Sequence, residues 1–395
     1  MKNPTARVGE QVVILGTRPR SRLGRLCHER SDHVLLVTDT RLETATPHVR
    51  ETVEHLTNAH LDTHVLALSP EESGTLEAAR EVHARMRGSG NRVCVALGGG
   101  SVIDTAKLAR AAAHEPWLLD RAVWRRSSGL IHLRRPRTCD VPPHLIAVPT
   151  RPGTAAEVAA RATITTGPTE ARRLLTGETL RPTAALIDPD YGSTLSRSAW
   201  VDSLNEVLFR VLGPFLVTHR SSEEIDRVTA GWIEELAGLG TRTRESTPLS
   251  AEQRLRVSEL SVSTATGAHV RLWEPAMPVW WCVQNTLVTR TGLTKGQLTA
   301  RALPTLLELI AEGQDALGSA DRLDALRRHT RVGTLERIGD LCNVVRESAE
   351  QHDRQRTEEE LTEWGREVRE LWGRHPGVAS LGAKGIGALL HRIGF

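Results

Sequence analysis

Five short runs in the first half of the chain are almost wholly apolar and rich in β-branched residues: 11–15, 34–37, 64–68, 93–97 and 145–148. A strand with one wet face alternates apolar and polar residues, whereas a strand covered on both faces reads as a continuous apolar run. Stretches of helical composition, such as 73–86, lie between the runs. This rhythm predicts a parallel sheet with right-handed crossovers and helices on its faces. After Asp188-Pro189-Asp190 the strand signals nearly vanish, and 196–217, 222–239, 250–266, 297–312, 320–342 and 358–372 read as helices. The expected division is an α/β domain over 1–190 and an all-helical domain over 191–395. Residues 242–249 read as an exposed loop, and 382–395, mixing glycine with apolar residues, as a tail that docks.

Composition excludes several classes. The 395 residues suffice for two domains, and 39% apolar with 25% charged residues is the balance of a soluble globular chain. No run approaches the ~18 apolar residues of a membrane span. The start, Met-Lys-Asn-Pro-Thr-Ala-Arg, lacks the apolar core of a signal peptide, so the cytoplasm is expected and no membrane partner. A net charge of +3 makes no electrostatic case for nucleic acid, and the basic cluster 121–137 reads as a solvated face. Five scattered cysteines without a CxxC pair argue against a disulfide framework or a zinc knuckle. Only four of the 51 basic residues are lysines, as in chains from GC-rich genomes. Lys2, Lys107, Lys295 and Lys384 are therefore candidates for positions that want a primary amine.

The run 93–97 leads straight into Gly98-Gly99-Gly100-Ser101, and Val102-Ile103-Asp104-Thr105-Ala106-Lys107 continues as a helix. In this setting glycines let backbone N–H groups approach a pyrophosphate, and the helix N-terminus adds partial positive charge. A tight structural turn would use the same glycines. Asp39 ends the run 34–38. An acid there accepts hydrogen bonds from an adenosine ribose and repels a 2′-phosphate, favouring NAD over NADP. A helix cap or a turn would place an acid there equally well.

Gly98-Gly99-Gly100-Ser101-x-x-Asp104-x-x-Lys107 resembles the GGGSxxDxxK signature of iron-containing alcohol dehydrogenases, whose relatives are glycerol dehydrogenases and dehydroquinate synthases. Residues 148–158, VPTRPGTAAEV, resemble that family's PTTxGTxxEV segment, and 182–189, PTAALIDP, its strand ending in DP. The resemblance is clear to about residue 190 and faint beyond it. It implies a dehydroquinate synthase-like fold: an α/β dinucleotide-binding domain with a parallel sheet, an all-α C-terminal domain, and an active site in the cleft between them. It also implies that Asp39, Ser69, Gly98, Gly99, Gly100, Ser101, Thr150 and Thr154 line the cofactor. Arg172 or Arg173 falls near a family lysine that contacts it.

The family holds a divalent metal with one Asp and three His, or in dehydroquinate synthases one Glu and two His, as a Lewis acid on the substrate oxygen. Carried over without gaps from Asp188, the first ligand falls on Glu206 and the second on Arg210; a shifted register uses Asp202 and Glu206. The histidine positions fall on Trp281, Asn285 and Lys295. His269 is the only histidine between residues 220 and 328, and one imidazole with Glu206 is too thin for a tight zinc or iron site. The expectation is that the metal is absent. Lys295 is then the candidate to stabilise an alkoxide or take its proton, Arg210 to grip a carboxylate in a fork, and Glu206 to pair with one of them. A structural Glu–Arg pair and a surface lysine is the alternative.

These readings point to a metal-independent, NAD-dependent dehydrogenase for a secondary alcohol. A substrate carboxylate on Arg210 would make it a β-hydroxy acid, whose keto product loses carbon dioxide without a metal. That chemistry resembles what is attributed to the iron-dehydrogenase-like enzymes of daptide biosynthesis, which oxidise and decarboxylate the C-terminal threonine of a ribosomal peptide. Aromatics that look exposed (Trp273, Trp280, Trp281) suit such a tailoring enzyme. A peptide-recognition partner protein and a homo-oligomer are expected. The alternatives are a dehydroquinate-synthase-like cyclase, which needs a metal, and a non-catalytic NAD-binding scaffold, which binds without turnover.

Overall fold

The computed structural model describes residues 5–88, 92–134, 143–166, 170, 172–243, 249–273, 277–349 and 356–395. Cys139, residues 135–137 of the basic cluster and 244–248 of the expected loop lie outside them. The chain divides into two compact units, Met1–Thr194 with Ser250–Glu259, and Leu195–Leu249 with Leu260–Phe395.

The first unit is built on the strands β1 (Thr5–Val8), β2 (Gln11–Leu15), β3 (His33–Asp39), β4 (Asp62–Leu68), β5 (Val93–Gly98), β6 (Leu130–His132), β7 (His144–Pro149), β8 (Arg161–Ile164), β9 (Arg173–Thr176) and β10 (Ala184–Ile187). Seven form one sheet in the order β1-β2-β10-β7-β5-β3-β4. All its pairings are parallel except β1 with β2, a short antiparallel hairpin. The five apolar runs are five of these strands, and the parallel α/β architecture is the one the rhythm predicts. The reason is visible in the packing. Val34, Leu36, Val93 and Val95 join one apolar cluster, while Leu35, Val37, Cys94 and Ala96 join another. Successive side chains point to opposite faces, so two buried faces demand an unbroken apolar run. In β5 every residue is buried.

Beside it lies a three-stranded sheet, β6-β9-β8, that the sequence did not announce. Its strands have three or four residues each and carry Arg161 and Arg173, too short and too polar to show a period.

The second unit is helical. Its longest buried element is the helix Arg197–Val217, in which 15 of 21 residues are buried. A helix buried over most of its surface is a core element, and the helices Glu223–Thr243, Lys295–Ala311, Ala320–His329 and Thr334–Ala349 pack against it. Three expectations need correction. The segment 320–342 is not one helix but parts of two, Ala320–His329 and Thr334–Ala349, broken over 330–333, where Thr330 is extended and Gly333 takes φ +87°. The helix Glu223–Thr243 runs on through Arg242, and Leu249 is buried, so neither end of 242–249 is an exposed loop. Trp273 and Trp280 are buried rather than exposed: Trp273 donates its indole N–H to Ser221, and Trp280 to Thr299. The glycine-rich end does dock, as the helix Pro376–Ile393 with Phe395 buried. Among the described residues no helix is long and apolar enough to cross a membrane.

Candidate functional site

Because β2, β3, β4, β5, β7 and β10 run parallel, their C-terminal ends share one edge of the sheet. Asp39 ends β3, Ser69 follows β4, Gly98 ends β5, Thr150 follows β7 and Asp188 follows β10. The eight residues named from sequence as lining the cofactor fall at this edge or on the loops that leave it, whereas Arg173 lies in β9 of the smaller sheet. In open α/β sheets the ligand crevice lies outside the carboxyl ends of the strands.

The glycines have distinct tasks. Gly98 closes β5 opposite Pro149, and its carbonyl accepts from Thr150 N–H at 3.1 Å. A Cβ on Gly98 would press into Val102 at 2.9 Å. Gly99 caps the helix Gly100–Ala111 with extended backbone, and a Cβ there would meet nothing within 4 Å. The first hydrogen bond of this helix runs from Ile103 N–H to Gly99 O, so the N–H groups of Gly100, Ser101 and Val102 precede it. An open glycine below three helix N–H groups that make no hydrogen bond among the described residues is an arrangement that can accept a phosphate. Gly100 faces the other way, against Thr154, where a Cβ would sit 2.5 Å from Oγ1. The next residue, Ala155, holds φ +52°, a strained value for a side chain with a Cβ. Thus the 148–158 segment is folded tightly onto the glycine loop.

Sequence reasoning missed one residue here. Gly74, at φ +85°, brings its backbone against Ser101, and its N–H donates to Thr105 Oγ1 at 2.9 Å.

Three motif residues prove to be structural. Lys107 is completely buried and donates to the carbonyls of Ala159 at 3.0 Å and Arg161 at 2.7 Å, and to Asp104 at 3.4 Å. Burial lowers its pKa, while Asp104 works in the opposite direction. The other Asp104 oxygen accepts from Thr163 N–H. Together the pair ties the glycine-loop helix to β8 and the turn before it. Asp188 is likewise buried and receives Arg20 Nε at 2.9 Å, while Arg20 also reaches Glu51. Burial raises the Asp188 pKa, opposed by the Asp190 N–H and the Arg20 charge.

Asp39 caps the helix Thr40–Ala45, accepting from Leu42 N–H at 2.8 Å. Of the two roles left open for this acid, the cap is the one visible; its second oxygen makes no hydrogen bond among the described residues. Ser69 and Glu72 exchange side-chain and backbone hydrogen bonds in a closed turn. Arg173 is buried in β9 and directs Nε toward the Ser127 carbonyl at 3.4 Å.

In the helical unit, Asp202, Glu206 and Arg210 follow one another at four-residue spacing on the helix Arg197–Val217, and so share a face. Glu206 and Arg210 are half-buried. One arm of Arg210 donates to Ser261 O at 3.0 Å and to Thr264 Oγ1 at 3.2 Å, which fixes the plane of its guanidinium. Lys295 is the first residue of the helix Lys295–Ala311 and is half-buried. Asn285 is buried, with Nδ2 donated to Trp281 O and Oδ1 unpaired. His269 is buried between Trp232 and Trp273 and bonds Thr264 O, the position of a structural histidine.

The positions that the family resemblance offers as metal ligands carry few of the side chains that hold a divalent metal. Two of the aligned ligand positions carry cations, Arg210 and Lys295, and one carries the indole of Trp281. Asp202 is engaged by Thr294. Among the described residues no three His, Cys, Asp or Glu side chains are grouped to hold a metal.

Residues 11–189 match the family model of iron-containing alcohol dehydrogenases. Over 119 residues the chain is 36% identical to the phosphonoacetaldehyde reductase of Streptomyces viridochromogenes, a stretch that spans 29% of each protein, well under a third of that relative. The fold as a whole is that of solved iron-dehydrogenase structures. An NADH-dependent butanol dehydrogenase of Thermotoga maritima matches with a TM-score of 0.76 at 15% identity, covering 100% of this chain and 99% of that one. An iron-containing alcohol dehydrogenase of Thermococcus thioreducens matches at 0.72 and 19% identity, covering 97% and 98%.

Proposed function

We propose, on the premise that residues 11–189 match the family model of iron-containing alcohol dehydrogenases, that the protein is an NAD-dependent dehydrogenase that oxidises a secondary alcohol without a resident metal. The observation that carries this reading is the open cradle at Gly99, set at the carboxyl edge of a parallel sheet. A nicotinamide dinucleotide held there supplies the hydride acceptor. The free oxygen of Asp39 suits a ribose better than a phosphate, which favours NAD.

On the helical unit, Lys295 is assigned to the substrate oxygen. Its ammonium offsets developing alkoxide charge, or its neutral amine takes the hydroxyl proton. Arg210, held in plane by Ser261 and Thr264, is assigned to a substrate carboxylate. Glu206, one turn before it, is assigned to charge balance. The substrate class that follows is a β-hydroxy acid, and a C-terminal threonine of a ribosomal peptide, as in daptide biosynthesis, fits it. In that reaction the carbinol carbon gives up hydride and its hydroxyl gives up a proton. The resulting β-keto acid breaks its bond to the carboxylate and releases carbon dioxide, and the enolate left behind takes up a proton from solvent at the α-carbon to give the ketone. A peptide-recognition partner and assembly of several copies belong to this proposal.

The similarity to a phosphonoacetaldehyde reductase favours a second reading, reduction of a small anionic aldehyde. Chelator-treated protein is incubated with NAD and a threonine-terminated peptide while NADH absorbance and peptide mass are followed. The expected result is NADH formation with loss of one carbon dioxide and two hydrogens from the peptide. NADH consumption with phosphonoacetaldehyde, and none of the peptide reaction, would favour the second reading. Activity that depends on added metal would refute the metal-free part. Dinucleotide binding without turnover of any substrate would favour the scaffold alternative.

A further inference from the structure

The helix Lys295–Ala311 begins with a complete capping box: Thr294 Oγ1 accepts from Gln297 N–H at 3.1 Å, and the Gln297 side chain accepts from Thr294 N–H at 2.9 Å. The box uses the hydroxyl oxygen of Thr294 as acceptor and leaves its proton for another group. That proton goes to Asp202 Oδ1, at 2.7 Å. Three residues along the same helix as Asp202, Asn205 donates Nδ2 to the carbonyl of Gly296 at 2.7 Å in a buried bond. Gly296 itself is a glycine of necessity, because a Cβ would overlap the carboxylate and the backbone oxygen of Asp202. The two helices therefore touch backbone to side chain at this point. Residues 294 and 296 are each bonded to the helix Arg197–Val217, and Lys295 is the residue between them.

We propose that Asp202 and Asn205 are positioning residues, and that their hydrogen bonds to Thr294 and Gly296 form a direct clamp that sets where the Lys295 ammonium stands. The inference rests on the reading of Lys295 as the group acting on the substrate oxygen. It explains how a site with no metal to join its helices stays organised. The aligned ligand positions Asp202 and Lys295 lie on these same two helices, and here the helices are joined by hydrogen bonds instead. A lysine has a long, rotamer-rich stem, so a fixed Cα is a precondition for a fixed ammonium.

The chain's four lysines make the test local. Full-length protein is labelled with an amine-reactive reagent at constant pH, and the rate at each lysine is read by mass spectrometry. Lys384, exposed on a separate helix, is the internal reference. Asp202→Ala and Thr294→Ala are expected to raise the Lys295 rate severalfold relative to Lys384, and Thr294→Ser, which keeps the hydroxyl, to restore it. Should Asp202→Ala fail to fold by circular dichroism, Thr294→Ala at its exposed position carries the test alone. Folded variants that label Lys295 at the wild-type rate would overturn the clamp. So would a wild-type melting temperature that rises by several degrees with zinc or ferrous ion. Turnover of Lys295→Ala bears only on the reaction reading, so the two claims fail separately.

Discussion

Lys107 sits at the last position of the glycine-loop signature, yet its ammonium is spent on two backbone carbonyls and one carboxylate inside the protein. Lys107→Met would leave Asp104 as a buried charge without its partner, a loss of about 3–5 kcal/mol by the usual cost of breaking such a pair. A urea melt should show it. Lys107→Arg should also destabilise, because a forked guanidinium does not replace a compact ammonium among three acceptors in a site with no exposure. The scarcity of lysine marked this position as one that wants a primary amine, and the structure agrees. What the amine is for was illegible, because the carbonyls of Ala159 and Arg161 lie more than fifty residues away in sequence. The same holds for Asp39, where spacing left a ribose contact and a helix cap open and the Leu42 bond shows the cap. Lys295→Ala belongs at this scale too: turnover should fall by about 10²-fold or more if it acts on the reacting oxygen. Wild-type turnover in steady-state assays would remove it from the reaction.

At the scale of elements, the central strands were legible because burial on both faces writes itself into every residue, as in β5, whereas the edge strand β4 carries an apolar run with Val65 exposed. The short strands β6, β8 and β9 left no such record. In the helical unit, composition gave the helices but not their breaks, since extended backbone at Thr330 and a positive φ at Gly333 interrupt a pattern that the apolar residues would carry on. The clamp was half legible: Thr294-x-x-Gln297 is a capping-box pattern, whereas its partners Asp202 and Asn205 are set by tertiary packing. The loop-to-segment contact gives the prediction for this scale. Gly100→Ala places a methyl group on Thr154 and must shift either the helix start or the strained turn at Ala155. Affinity for NADH, read by fluorescence titration, should fall by about 10-fold or more, with a lower melting temperature, as for a cradle that must hold its geometry closely. Thr154→Ala, which removes both the hydroxyl and the methyl that a Cβ on residue 100 would meet, should recover part of both in the double variant.

For the whole molecule, the buried His48 and His269 and the half-buried His144 set a pH dependence. Burial lowers the pKa of His48, His144 and His269, more than their hydrogen bonds raise it where they have them. Each is neutral in the fold and takes up its proton more readily when unfolded. The unfolded state therefore binds more protons below the ordinary histidine pKa of about 6.5, and stability falls as pH drops through that value. Melting temperatures between pH 8 and pH 5 should be flat at the alkaline end and decline at the acid end, and His269→Gln should flatten the decline. A chain equally stable at both ends would show that these histidines do not govern it.

The proposed function stands or falls on a dinucleotide binding on the open backbone at Gly99. Gly99→Ala tests it with little structural cost, since φ −72° suits alanine and a Cβ would touch no protein atom within 4 Å. Isothermal titration with NADH, alongside a thermal melt, should give saturable binding to the wild-type protein. In the variant, binding should be weakened by about 10-fold or more at an unchanged melting temperature, because the methyl occupies the space the phosphate needs. Equal NADH affinity in both proteins would contradict the claim.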